Sequence, residues 1–117
     1  MFRALTFLLA LSLPLSARDA GEDARIDALL AKVASLQGAT FFRNGSGHEP
    51  KEAAKHLRMK LKRAGERVKT AEDFIQACAT KSSLTARPYK IRFADGTEKE
   101  CGPYLRAELA RIDGKGS

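Results

Sequence analysis

His48 and His56 are the only histidines in the chain, and imidazole is the side chain that ligates metals and moves protons near neutral pH. Glu52 and His56 stand four residues apart, so they share one face of a helix, with His48 and Glu49 just upstream. Such a pair has the donors to share a metal ion. A catalytic zinc, however, takes three protein ligands, and this spacing fits no zinc pattern. No metal site and no cofactor are assigned, and the simpler reading is a surface Glu–His pair. Ser82 and Ser83 follow Lys81 directly. A hydroxyl activated by a base is what nucleophilic catalysis needs, and His56 would supply that base. Neither Gly-x-Ser-x-Gly nor Ser-x-x-Lys occurs, and Ser83 is more simply used to bond backbone near a helix end. A small hydrolase using His56 with Ser82 or Ser83 is therefore the alternative reading.

The first reading comes from polar residues that packing leaves unexplained: Arg43, Asn44, His56, Lys60, Lys81, Ser82, Ser83 and Arg92. Guanidinium, ammonium and hydroxyl donors together suit a carboxylate or a phosphate. Asn44 also has a plainer use in a turn, and Arg92 a plainer use opposite Glu98. The charge balance points the same way. The chain carries 21 Lys and Arg against 14 Asp and Glu, a formal charge of +7 over 117 residues. Nine of those cations fall between Arg43 and Lys69 against three glutamates, so the basic character lives in one segment. Lipid head groups, acidic polysaccharide and nucleic acid are the partner classes that this favours. A solvated helix face is the plainer explanation. Low aromatic content, 7%, and the export signal described below disfavour nucleic acid.

The element that must position most of these groups is 49–65. Pro50 suits a first helical position and Gly65 a left-handed stop. At 100° per residue Ala53, Ala54, Leu57, Leu61 and Ala64 form a core-seeking stripe. Lys51, Lys55, Arg58 and Lys62 form a cationic stripe beside it, and Glu52, His56, Met59 and Arg63 a third row.

Before it, Arg3, the apolar run Ala4 to Leu13, Pro14 and Leu15-Ser16-Ala17 read as a secretory signal peptide, too short to span a membrane. Cleavage near Ala17, or after Ala20, would leave a periplasmic or secreted protein with no transmembrane span. The division is 1–17 signal, 18–112 domain and 113–117 flexible tail. An oxidising compartment favours a bridge between Cys78 and Cys101, the only cysteines. Such a bridge would be worth roughly 3 kcal/mol in the chain-entropy account. Two buried thiols are the alternative.

Asp19 to Leu36 repeats Ile26, Leu29, Leu30, Val33 and Leu36 at helical spacing. Residues 39–47 read as a connector, with Phe41 and Phe42 plugging the core and Asn44-Gly45 turning the chain. Thr70 and Asp73 form the caps of a third helix whose inner side holds Ala71, Phe74, Ile75 and Cys78. Tyr89 to Phe93 alternates as a strand and returns through Ala94-Asp95-Gly96. A three-residue loop sets Arg92 against Glu98 and Lys90 against Glu100, whereas a two-residue loop would set Glu98 against Phe93. The first choice places Tyr89, Ile91, Phe93 and Cys101 on one inner face. Gly102-Pro103 opens a last helix with Leu105, Leu109 and Ile112 buried. The expected fold is a single α+β domain of three helices, a β-hairpin and a C-terminal helix.

Several segments in this order carry a resemblance. They are Phe42-Arg43-Asn44-Gly45, Glu52-Ala-Ala-x-His56-Leu57-Arg58-x-Lys60, Thr70-Ala-Glu-Asp-Phe-Ile75, Lys81-Ser82-Ser83-Leu84 and Pro88-Tyr89-x-Ile91-Arg92-Phe93-x-Asp95-Gly96. From about Ile26 to Ile112 the chain resembles a family of small exported bacterial proteins classed only as a domain of unknown function. The resemblance implies a bacterial periplasmic or secreted location and carries over no catalytic residues. Together these readings give a non-catalytic binding or envelope-accessory module that recognises an anionic envelope component or acidic ligand.

Overall fold

The computed structural model describes residues 18–115, so the expected signal peptide lies outside the described residues. Helix α1 spans Ala20–Ala34, with Asp19 capping it by accepting from the Gly21 N–H. Its stripe of Ile26, Leu29, Leu30 and Val33 is fully buried. Strands β1 (Thr40–Arg43) and β2 (Ser46–His48) follow, then helix α2 (Pro50–Ala64). A short 3₁₀ turn at Gly65–Arg67 leads to α3 (Ala71–Phe74), which runs on as a π-helical turn over Ile75–Ala79. Strands β3 (Lys90–Arg92) and β4 (Glu98–Glu100) and helix α4 (Cys101–Ile112) complete the chain.

The fold is α+β, with helices packed on a four-stranded antiparallel sheet of order β2-β1-β3-β4. This corrects the expected lone hairpin. The connector 39–47 is itself a hairpin. Asn44 and Gly45 both take left-handed backbone, φ 53° and 84°, the requirement of the tight two-residue turn that matches strand twist. β1 then docks on β3, with Phe41 opposite Ile91 and Thr40 opposite Arg92. A two-stranded ribbon is marginal in water, and two ribbons joined edge to edge solve that problem for both.

The register argued from charge holds. Lys90 pairs with Glu100 and Arg92 with Glu98, and the loop closes through Phe93 N–H to Thr97 carbonyl at 2.8 Å. Strand alternation divides the aromatic pair. Phe41 enters the core, while Phe42 is half-buried on the other face with the Arg92 guanidinium 4.8 Å from its ring centre.

The α2 boundaries match the sequence reading. Leu57 and Ala64 are buried, Ala53, Ala54 and Leu61 pack against the core, and Lys51, Lys55, Arg58 and Lys62 are exposed. Thr70 and Asp73 complete the reciprocal cap of α3. α1 ties the domain together through Glu22, which accepts from the Ala71 N–H at 2.8 Å and pairs with Arg25. Arg25 in turn holds Asp113 at 2.6 Å, so Asp113, placed in the expected tail, is anchored to α1. Ile112 is partly exposed rather than buried, since α4 ends there.

The expected disulfide is absent. Cys78 and Cys101 are both free and both buried. Cys101 is the first residue of α4 rather than the last of β4, so the direction of its side chain follows the helix and not the strand alternation from which the pairing was argued.

Candidate functional site

A cavity of about 300 Å³ opens between α2 and the sheet. β1 gives it Phe41, Phe42 and Arg43, and β2 gives His48. The third row of α2 and its neighbours give Glu52, Ala53, Lys55, His56, Leu57 and Met59, while Tyr89 and Cys101 close the remaining side. Period 3.6 on the helix and period 2 on the strands bring these residues together. Phe41 and Arg43 share the helix-facing side of β1, and His56 lies one turn beyond Glu52 on α2.

Around His56 the polar contacts form a chain. Lys60 Nζ donates to Tyr89 Oη at 2.9 Å and to the Lys81 carbonyl at 3.1 Å. The Lys60 ammonium also lies 4.9 Å from the centre of the Tyr89 ring, within cation–π range. Tyr89 Oη is 3.4 Å from His56 Nε2, and the two rings meet edge-on. Because Lys60 occupies an acceptor site on the phenol oxygen, the phenol proton is free to point to His56. Burial pushes the His56 imidazolium down to about 4, helped by Arg43, Lys60, His48 and Arg63; at neutral pH the ring is uncharged. His48 Nδ1 lies 3.2 Å from a Glu52 carboxylate oxygen. Its Nε2 is buried with no hydrogen-bond partner among the described residues.

The eight residues proposed from sequence therefore divide. Arg43 and His56 line the cavity, and Lys60 braces its Tyr89 wall. Lys81 is exposed and enters only through its carbonyl. Asn44 and Ser82 belong to a loop-locking knot. Ser82 Oγ accepts from Asn44 Nδ2 at 3.1 Å and from the Leu84 and Thr85 N–H groups. Thr85 Oγ1 donates to Asn44 Oδ1. Ser83 is exposed and lines neither cavity. Arg92 sits on the opposite face of the sheet, in a second hollow of about 260 Å³ shared with Phe42, Arg87, Lys90 and Glu98. There its guanidinium is bound to Glu98 at 3.0 Å.

The hydrolase constellation is not assembled. His56 bonds Tyr89, Ser82 is spent on the loop, and no His56–serine hydrogen bond occurs among the described residues. The thiols offer no nucleophile either, since burial raises Cys78 and pushes Cys101 up to about 12. No group of three or more His, Cys, Asp or Glu among the described residues is placed to hold a metal.

Sequence reasoning missed Tyr89 and Phe41 as parts of the site, and weighed His48 only beside a possible metal pair of Glu52 and His56. Alternation already put Tyr89 on the inner face of its strand, and that was the available signal. Its meeting with His56 and Lys60 depends on how α2 lies across the sheet.

Residues 20–113 match the profile of a family described as a family of unknown function, DUF5329. An uncharacterised protein of Salmonella typhimurium (strain LT2), YfeK, is 46% identical over 82 residues, which cover 69% of this chain and 68% of that protein. No solved structure matches significantly.

Proposed function

The chain belongs to the DUF5329 family of unknown function, and we propose that it is an exported, non-catalytic binding module that takes an anionic partner at the cavity between α2 and the sheet. The observation that carries this reading is the unneutralised cation at an apolar hollow. Arg43 lines the cavity and forms no ion pair among the described residues, whereas Arg92 on the opposite face of the sheet is held by Glu98. Lys55 stands exposed at the same opening. The one carboxylate there, Glu52, is engaged by His48. Guanidinium beside low-dielectric walls is a strong anion site, because the walls reduce screening of the charge.

Export rests on the apolar N-terminal run and its small-residue boundary. Among the described residues no helix is long and apolar enough to cross a membrane. An envelope-accessory role follows from combining export with anion recognition.

The test has two parts. Fractionation of cells expressing the full chain should recover a periplasmic or secreted form shortened by 17 to 20 residues. Titration calorimetry of that form against acidic cell-wall fragments and anionic phospholipid vesicles should give saturable heat that weakens with salt and is lost in Arg43→Ala. Absence of saturable heat with both partners, or an unaltered Arg43→Ala, would overturn the binding reading.

A further inference from the structure

The same cavity has two chemically distinct parts. Phe41, Leu57, Ala53 and Met59 give it an apolar wall, and Arg43, His48 and His56 give it a polar cluster. A purely polar anion would leave the apolar part uncovered, and a hydrocarbon would leave the guanidinium unmatched. We propose that this cavity binds a small amphipathic carboxylate, its head on Arg43 with His56 and His48 alongside, and its apolar tail against Phe41, Leu57 and Met59. This rests on the anion-binding reading above and names the ligand class for that site.

Charge and size set the class. Arg43 is the one permanent cation of the half-buried wall, since Lys55 is exposed and Lys60 is turned to Tyr89 and Lys81. A single planar fork matches the two oxygens of one carboxylate. A dianion would leave a second charge beside Glu52 in an apolar hollow, which is costly. His48, its Nδ1 turned to the Glu52 carboxylate, adds bulk beside the head and no donor to it. A cavity of about 300 Å³ holds about ten non-hydrogen atoms at the roughly 30 Å³ that a water-sized group occupies in a liquid. A carboxylate carrying about seven more carbons fills it. Met59, 44% exposed at the lip, is unbranched and adapts to tails of differing shape.

His56 makes recognition proton-linked. The groups facing it are Arg43, Lys60, His48, Arg63 and the Tyr89 phenol, with one carboxylate, Glu52, a turn away on α2 and bonded to His48. A bound carboxylate opposes those charges and favours the imidazolium, so the complex takes up a proton.

Octanoate is the probe, read by calorimetry and by amide shifts in ¹H–¹⁵N spectra of the mature chain. Saturable binding is expected, with shifts centred on Phe41, Arg43 and His56. Shortening to hexanoate should weaken it about tenfold, the worth of two methylenes. Octanol should bind at least tenfold more weakly than octanoate, and Arg43→Gln should remove that preference. Met59→Ser should weaken octanoate, and Lys62→Gln, an exposed cation outside the cavity, should not. Vesicles of anionic phospholipid provide the arm for a phosphate head-group source. No octanoate binding at millimolar concentration overturns the inference; if the vesicles still bind through Arg43, the anion-binding reading survives it. Equal binding of octanoate and octanol, unaltered by Arg43→Gln, overturns both.

Discussion

Two hollows meet at Phe42, one on each side of the sheet, and both contain arginine and lysine. On the outer side Arg92 is already satisfied, stacked on Phe42 and bonded to Glu98 at 3.0 Å. An anion arriving at Arg92 would have to displace that carboxylate, although Arg87 and Lys90 of the same hollow form no ion pair among the described residues. On the helix side Arg43 has no such partner among the described residues, His48 keeps an unused nitrogen, and His56 is held neutral by burial and neighbouring cations. The number of cations does not separate the two hollows. What separates them is that Arg92 is held by a carboxylate of the fold while Arg43 is not, and that the helix-side walls are the more apolar.

The strongest way to break this contrast is to remove a wall. Leu57→Ala cuts a buried side chain shared by core and cavity, and should cost about 2–5 kcal/mol in urea unfolding. Arg43→Gln should leave the fold intact and lower octanoate affinity at least tenfold, about 1.4 kcal/mol, a charge-assisted bond's worth. Asn44→Gly keeps the left-handed turn but loses the bonds to Ser82 and Thr85. It should cost about 1 kcal/mol and speed amide exchange in 82–87 without altering octanoate affinity. Smallest of all, Arg92→Ala removes an exposed pair worth under about 1 kcal/mol and should leave binding unchanged.

Acid sharpens the contrast further. The His56 pKa falls from 6.5 in the unfolded chain to about 4 in the folded one. Between those values the unfolded chain holds more protons. Its contribution to stability is therefore complete above 6.5 and is lost as pH drops toward 4. Thermal unfolding of His56→Gln should show a smaller loss across that window than the wild type. Octanoate reverses the sign locally, because its complex holds the extra proton. Its affinity should rise as pH is lowered from 7.5 to about 5.5, then fall once the ligand's own carboxyl protonates. His56→Gln should flatten the rise.

Much of the fold was legible because local rules agreed with one another. The limits of α2 followed from Pro50 and Gly65, and the cap of α3 from Thr70 and Asp73. The β3–β4 register followed from opposite charges that only one loop length could align. The 39–47 segment was misread even though its Asn-Gly turn was noticed. Its strands are four and three residues long and carry one buried side chain between them. Such a ribbon shows almost no periodicity, and its stability comes from β3. The site was half legible. Arg43 and His56 were singled out as polar residues without a packing role, but Asn44 and Ser82 were grouped with them because a polar side chain locking a loop looks the same in sequence as one awaiting a ligand.

The amino-acid order alone determined the helices, their caps, the wet cationic stripe of α2 and the facing charges of the last hairpin. All of these depend on neighbours within about one turn or one loop. Only the tertiary structure decided that Phe41 and Phe42 part company, that Cys101 points with a helix rather than a strand, and that Tyr89 meets His56 and Lys60. It also decided that Arg92 is paired and Arg43 is not. Those outcomes depend on where α2 crosses the sheet, and that crossing is set by core packing between residues dozens of positions apart.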